Sequence, residues 1–259
     1  MAKILVGTSG FSYHEWKDVF YPRDLHPADF LAFYCREFNT VELNFSYYRI
    51  PTPAQCRQML KKSSHRVEFV IKAFKGLTHE ITDQSLPVLL PQFKESIEPF
   101  SQSSTLGAIL LQFPQSFHYT PRSRVYLQSL IEGFNPMSVC VEFRQREWLK
   151  DSVYATLKEL NAGFVCVDEP PLRGLLPPVA VATADIGYIR FHGQNCSKWY
   201  TGDSKERYDY LYNEDELKEW LPKVNTLAKQ TEKLFIVFNN HKKAQAVTNA
   251  KMMMGLLNI

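Results

Sequence analysis

The apolar runs of this chain are short, and most of them end on a charged or amide residue. The three sharpest read Val41-Glu42-Leu43-Asn44, Val141-Glu142-Phe143-Arg144 and Ile189-Arg190-Phe191-His192. Alternation with period two marks a strand whose two faces differ. Here one face is apolar and the other carries formal charge. A charge taken out of water costs several kcal/mol unless it is paired. A sheet made of such strands must hold its charged side in a protected, paired environment, and that constrains both the fold and the place of any site.

The full set of strand candidates is Ile4–Ser9, Thr40–Asn44, Glu68–Ala73, Ala108–Phe113, Val139–Arg144, Phe164–Asp168, Tyr188–Gly193 and Phe235–Asn240. Their content of Val, Ile, Leu and Phe fits buried parallel strands. Helical patterns lie between most of them, at Pro27–Phe38, Pro53–Lys62, Gln92–Phe100, Ser123–Glu132, Trp148–Asn161, Glu214–Lys229 and Lys242–Leu257. Proline opens the first two, where its missing N–H costs nothing. The exception is Glu169–Gly187, with Pro170, Pro171, Gly174, Pro177 and Pro178, which reads as a long loop. Eight β-α units in succession predict an α/β fold, a closed (β/α)8 TIM barrel over residues 1–259 as one domain, with an irregular Pro-rich connection between strands six and seven. An open doubly wound sheet would call for G-x-G-x-x-G, which Gly7-Thr8-Ser9-Gly10 does not supply.

Charge and cysteine usage narrow the class further. With 30 basic and 27 acidic residues the net charge is only +3, so a nucleic-acid partner is not expected. Five cysteines with no C-x-x-C pair make neither a disulfide framework nor a zinc knuckle, and point to a reducing, cytoplasmic setting. The opening Met-Ala-Lys-Ile-Leu-Val-Gly is too short an apolar run for a signal peptide, and no stretch approaches transmembrane length, so no membrane association is expected.

Parity assigns the faces. Helices must cover the apolar side, so the polar set points into the barrel: Glu42, Asn44, Lys72, Gln112, Glu142, Arg144, Asp168, Arg190, His192 and Asn239. All lie toward the C-terminal ends of their strands, where barrel enzymes keep their sites. Neighbouring strands should set Glu42 beside Lys72, and Arg144 near Asp168 and Arg190. Pairing of that kind is required whatever the function. It does not explain why so many charges are inside, because apolar packing there is often at least as stable.

Read in order, the runs resemble the YecE-like family of TIM-barrel proteins, the seventy-second domain of unknown function. The resemblance rests on Gly7-Thr8-Ser9-Gly10-Phe11-Ser12-Tyr13 with Trp16, on Phe38-Asn39-Thr40-Val41-Glu42-Leu43-Asn44 with Tyr48, and on Lys72-Ala73 with Leu77-Thr78-His79. It continues through Leu111-Gln112-Phe113-Pro114, Glu142-Phe143-Arg144 with Trp148, Asp168 with Pro170, Tyr188-Ile189-Arg190-Phe191-His192-Gly193 and Phe238-Asn239-Asn240-His241. Gln145 and Gln194 stand where histidine and arginine are common. The resemblance implies a TIM barrel with a site at the strand ends, but no reaction. Its motifs add Ser9, Tyr13, Trp16 and His79 to the candidate ligand contacts.

The residue types favour an enzyme acting on a small polar, anionic ligand bearing phosphate or carboxylate. Lys72, Arg144, Arg190 and His192 form a cationic clamp, and Arg matches both oxyanions bidentately. Glu142 and Asp168 are the candidate acid/base pair, Lys72 or His192 a candidate acid, and Glu42 would orient Lys72. Phosphate would be expected near the loops after strands seven and eight, which carry Gly193, Asn195, Ser197, Lys198, Asn240 and His241. No cofactor is predicted. A divalent metal on Glu42, Glu142, Asp168 and His192, serving a sugar-like isomerase or hydrolase reaction, is an alternative that the adjacent cations disfavour. Barrel glycosidases resemble one another in carrying acids on strands four and seven, where this chain has Gln112 and His192. Schiff-base chemistry at Lys72 requires a depressed pKa, and a nearby Glu42 would raise it. The loop aromatics Tyr13, Trp16, Tyr47, Tyr48, Trp148 and Trp199 could instead serve a non-enzymatic RNA- or protein-binding face. The oligomeric state leaves no mark in the sequence.

Overall fold

Each expected run is a strand in the computed structural model, which describes residues 2–259. The strands are β1 (Lys3–Ser9), β2 (Thr40–Leu43), β3 (Glu68–Lys72), β4 (Leu106–Gln112), β5 (Val139–Glu142), β6 (Gly163–Asp168), β7 (Ile186–Phe191) and β8 (Lys233–Phe238). They pair in chain order, all parallel, and β8 closes on β1. The protein is therefore a closed eight-stranded TIM barrel.

Local chemistry sets the helices. Pro53–Ser63 begins at a reciprocal capping box between Thr52 and Gln55, with Pro53 in its first turn. Pro121–Phe134 also has proline in its first turn, and Thr120 caps it one way by accepting from the Ser123 N–H. The remaining outer helices are Phe30–Glu37, Leu90–Gln102, Asp151–Glu159, Leu221–Gln230 and Gln245–Leu257. Three expected helices begin late, the first of them at Phe30 after a separate 3-10 turn, Pro27–Asp29. Trp148 lies in a separate 3-10 turn, Arg146–Trp148, and Lys242–Ala244 forms another whose Lys243 and Ala244 take positive φ. The pattern over Glu214–Lys229 divides at Trp220, just before Pro222, into Glu214–Lys218 and Leu221–Gln230. The Pro-rich connection from Asp168 to Ile186 contains no helix, as its composition demands.

Register decides which side chains fill the barrel, since partners in a parallel ladder share a face. Ser9, Glu42, Val70 and Ala108 form one such row, Lys72, Leu110, Cys140 and Gly163 another, and Val167, Arg190 and Val237 a third. The lower interior is apolar, from Leu5, Val70, Leu110, Cys140, Val165 and Phe235, all fully buried. The polar layer sits above it, at the C-terminal ends.

Strand six departs from the sequence reading. Asp168 pairs with Phe191, and Phe191 with Phe238, so Asp168 belongs to the helix-facing side. The inward set of β6 is Gly163, Val165 and Val167, continued by Glu169. Two apolar residue types alternated in this run, so hydropathy could not tell its faces apart. Several strands also end earlier than the apolar runs suggest. Asn44, Arg144, His192 and Asn239 lie one or two residues beyond the ladder, where the His192 and Asn239 N–H groups still donate to the Asp168 and Phe191 carbonyls.

Close packing within the barrel wall has a direct test. A Cβ on Gly7 would lie 2.1 Å from the Thr40 carbonyl oxygen of the neighbouring strand. Gly7→Ala is expected to destabilise the fold by at least about 2 kcal/mol in urea unfolding, because backbone rather than a flexible side chain must move.

Candidate functional site

The centre of the polar layer is the Arg190 guanidinium, 2% exposed. Its Nε and Nη2 donate to the two oxygens of Glu42 at 2.8 and 2.7 Å, and its Nη1 donates to Glu142 Oε2 at 2.5 Å. β2, β5 and β7 thus meet in one ion triad. Glu42 also accepts from Ser9 Oγ and Tyr188 Oη, each at 2.5 Å. Glu142 Oε1 receives Arg144 Nε at 2.5 Å and faces His192 Nε2 at 3.2 Å. Asn239 Nδ2 lies 3.1 Å from His192 Nδ1 and so fixes the ring from its other edge. Arg144 reaches onward to Glu169 Oε2 at 3.2 Å, and Glu169 Oε1 accepts the Leu176 N–H.

Lys72 stands apart from this pairing. Its Nζ donates to the neutral Gln112 Oε1 at 2.8 Å and packs 4.4 Å from the centre of the Tyr47 ring. Glu42 was expected to orient it, but Glu42 is fully engaged by Arg190, Ser9 and Tyr188.

These surroundings set the protonation states. Burial pushes the Glu142 carboxyl up, but Arg190, Arg144 and His192 outweigh it and hold it well below the usual range. Burial and the adjacent Arg144 bring His192 down to about 3, so it is neutral and no acid at neutral pH. Burial, with Lys72 and Arg144 adding to it, takes His79 down to about 4. Burial first, then the Arg190 charge, brings Lys72 down to about 7 despite the opposing pull of Glu42 and Glu142. Glu169 rises to about 7, because burial exceeds the help it gets from Arg144. Within the polar layer Lys72 and Glu169 are brought close to neutrality, whereas Glu142 stays ionised and His192 neutral.

A cavity of about 460 Å³ opens above the layer. Of the sequence candidates, Asn44, Lys72, His79, Gln112, Arg144, Arg190, Asn239 and Tyr13 line it. Glu42, Glu142, Ser9 and His192 lie beneath, fully buried and spent on the network. Trp16 is also fully buried. Its Nε1 donates to the His241 carbonyl and it packs against Tyr13, so it supports the rim. Asp168 is outside the barrel, bonded by Tyr212, Trp220 and Gln194, where it props the loop that follows His192. The four residues considered for a divalent ion therefore do not converge, and the two inner carboxylates are already saturated by guanidinium.

The expected phosphate loops behave differently too. Asn195 and Asn240 donate to loop carbonyls, and Lys198 pairs with Glu206, so these residues shape the rim. Gly193 has φ +93°, a conformation L side chains resist, and its N–H donates to Tyr212. What the loops bring to the cavity is Arg207, Tyr208 and His241. Arg207 and Tyr208 carried no sequence signal, lying at the end of a four-residue helix, Ser204–Arg207, of ordinary polarity. Glu169 and Tyr188 did carry one, since each continues the inward parity of its strand.

The fold and mouth define a TIM-barrel protein with a buried ion network and a cationic cavity at the C-terminal ends of its strands. The family described as protein of unknown function DUF72 matches residues 5–259, and the chain belongs to that family. It is 31% identical over 271 residues to the UPF0759 protein YunF of Bacillus subtilis (strain 168), an alignment covering 99% of this chain and 95% of that protein. A DUF72 family protein from Thermotoga maritima MSB8 superposes with a TM-score of 0.91 at 38% identity, over 99% of this chain and all of that one. One from Enterococcus faecalis V583 gives 0.87 at 26% identity, over 99% of this chain and 96% of that one. No helix among the described residues is long and apolar enough to cross a membrane.

Two of the displaced titrations, those of His192 and Glu169, act on stability in opposite directions. His192, depressed to about 3, is protonated in the unfolded chain from about pH 6.5 downward, so it removes stability as pH falls through that window. Glu169, raised to about 7, keeps its proton in the folded chain while the unfolded chain loses it above about pH 4.3, so it removes stability as pH rises toward 7. Relative to wild type between pH 5 and 6, His192→Asn should make the unfolding free energy fall with rising pH, by about 1 kcal/mol per pH unit. Glu169→Gln should make it rise by a similar amount. Parallel pH profiles for all three proteins would contradict the assigned protonation states.

Proposed function

We propose that the protein is an enzyme acting on a small anionic ligand, phosphate- or carboxylate-bearing, at the C-terminal mouth of the barrel. One observation carries this reading: Lys72, Arg144, Arg190 and Arg207 all line the 460 Å³ cavity, and no carboxylate is among its lining residues. The buried carboxylates Glu42, Glu142 and Glu169 roughly balance Arg190, Arg144 and Lys72. Arg207 is then a surplus cation, and its Nε is buried with no hydrogen-bond partner among the described residues. An oxyanion would satisfy it and complete the charge balance.

The proton chemistry falls to Lys72, the amine close to half neutral at pH 7 and open to the cavity. Glu142 anchors the two guanidinium groups and is not the base. Tyr13, Tyr47, Tyr48 and Tyr208 line the walls and could pack on the ligand's carbon frame. In this reading residues 1–259 act as one domain in the cytoplasm, where the free thiols Cys35, Cys56, Cys140, Cys166 and Cys196 would stay reduced.

Isothermal titration with inorganic phosphate tests the anion site. Wild-type protein is expected to bind, and Arg207→Ala to bind about tenfold more weakly, the loss of one charge-assisted hydrogen bond. Equal affinity in the two proteins, or no binding by wild type, would remove the basis of the proposal.

A further inference from the structure

The structure leaves one amine in an unusual position. Among the described residues, the ion pairs of the polar layer take up Arg144 and Arg190 but not Lys72. The carboxylates near it are committed elsewhere, Glu42 to Arg190, Ser9 and Tyr188, and Glu142 to Arg144, Arg190 and His192. Lys72 Nζ holds one neutral acceptor, Gln112, and lines the open cavity beside three guanidinium groups. A buried lysine among cations, with no carboxylate in hydrogen-bonded contact, loses stabilisation of its ammonium form and becomes a nucleophile.

We propose that Lys72 condenses with the carbonyl carbon of an anionic aldehyde or ketone to form an imine at the barrel mouth. The proposal rests on the anion reading above and names the substrate class for that same site. Arg144, Arg190 and Arg207 would hold the anionic group and Nζ would meet the carbonyl. The nitrogen lone pair forms the C–N bond while the carbonyl π pair moves to oxygen and takes up a proton. The resulting carbinolamine, its nitrogen having given up one hydrogen as a proton, takes a second proton on oxygen and loses water, leaving a protonated imine that keeps the other amine hydrogen. No oxidant, reductant or metal is needed. The protonated imine is an electron sink for bond cleavage or proton loss at the adjacent carbon. Its positive charge would lie against the Tyr47 ring face, which favours cations. Lys72, down to about 7, has a large neutral fraction at physiological pH, whereas an ordinary lysine is almost wholly protonated. Sequence alone argued the other way, because proximity to Glu42 was expected to hold the proton on.

The test is trapping of wild-type protein at pH 7 with glyoxylate and sodium cyanoborohydride, read by peptide mapping. Lys72 is expected to gain a carboxymethyl group about tenfold faster than any other lysine, and excess inorganic phosphate is expected to slow that reaction. Lys72→Arg, checked for native circular dichroism, should lose the fast-labelling peptide alone. If phosphate binds in the calorimeter but Lys72 labels no faster than surface lysines, the imine is overturned while the anion site stands. If Lys72 labels fast and phosphate neither binds nor protects, the anion site falls and with it the anionic substrate class proposed here.

Discussion

The whole mouth depends on one guanidinium. Arg190 is inserted at the centre of the barrel, where a lone cation would be untenable, and is held by two carboxylates from two other strands. Removing one partner from such a buried pair costs about 3–5 kcal/mol, because a charge is left behind without solvent. That makes Glu42 and Glu142 structurally obligatory. It also ties β2, β5 and β7 together beneath the cavity that Lys72, Arg144 and Asn239 line. An apolar interior would close the barrel as well. What it would not do is hold cations at a solvent-accessible mouth in a fixed geometry.

The same pairing redistributes the chemistry. Residues that look catalytic by type, Glu142 and His192, are locked by their neighbours: one stays ionised and the other stays neutral. Residues that look subsidiary, Lys72 and Glu169, are the ones whose burial is incompletely compensated, and both come to about 7. Tuning of this kind, in which environment pushes like groups apart, is how a fold assigns acid and base roles. The outward Asp168 has a separate task. It collects Tyr212, Trp220 and Gln194 behind β7 and β8, and Tyr212 in turn binds the Gly193 N–H. This fixes the chain just after His192.

The barrel was legible in the chain because eight buried strands, separated by helical patterns, admit few other closures. Eight inward-facing polar positions on the runs of β2, β3, β4, β5 and β7 followed from parity, since those runs alternate polar with apolar residues. Parity failed on β6. Val165, Cys166 and Val167 are all apolar, so the only polar residue in the run, Asp168, was taken as inward when Glu169 was the continuing member. Partner choice was harder to read than position. Adjacent strands suggested Glu42 with Lys72, but Arg190 reaches across the barrel with a longer, forked side chain and takes both carboxylates. Arg207 ends a four-residue helix, Ser204–Arg207, too short to show a period, and Tyr208 follows it, so only the folded chain brings them over the mouth.

Arg190 consumes the inner carboxylates and leaves Lys72 as a poised amine outside the ion pairs. The direct measurement is an NMR titration of the Lys72 side-chain nitrogen in ¹⁵N-lysine-labelled protein, assigned with Lys72→Arg. A midpoint near 7 is expected, with the remaining lysines titrating near their ordinary value of about 10.4. A Lys72 midpoint at that ordinary value would show a well-solvated or carboxylate-paired ammonium, and would contradict the account.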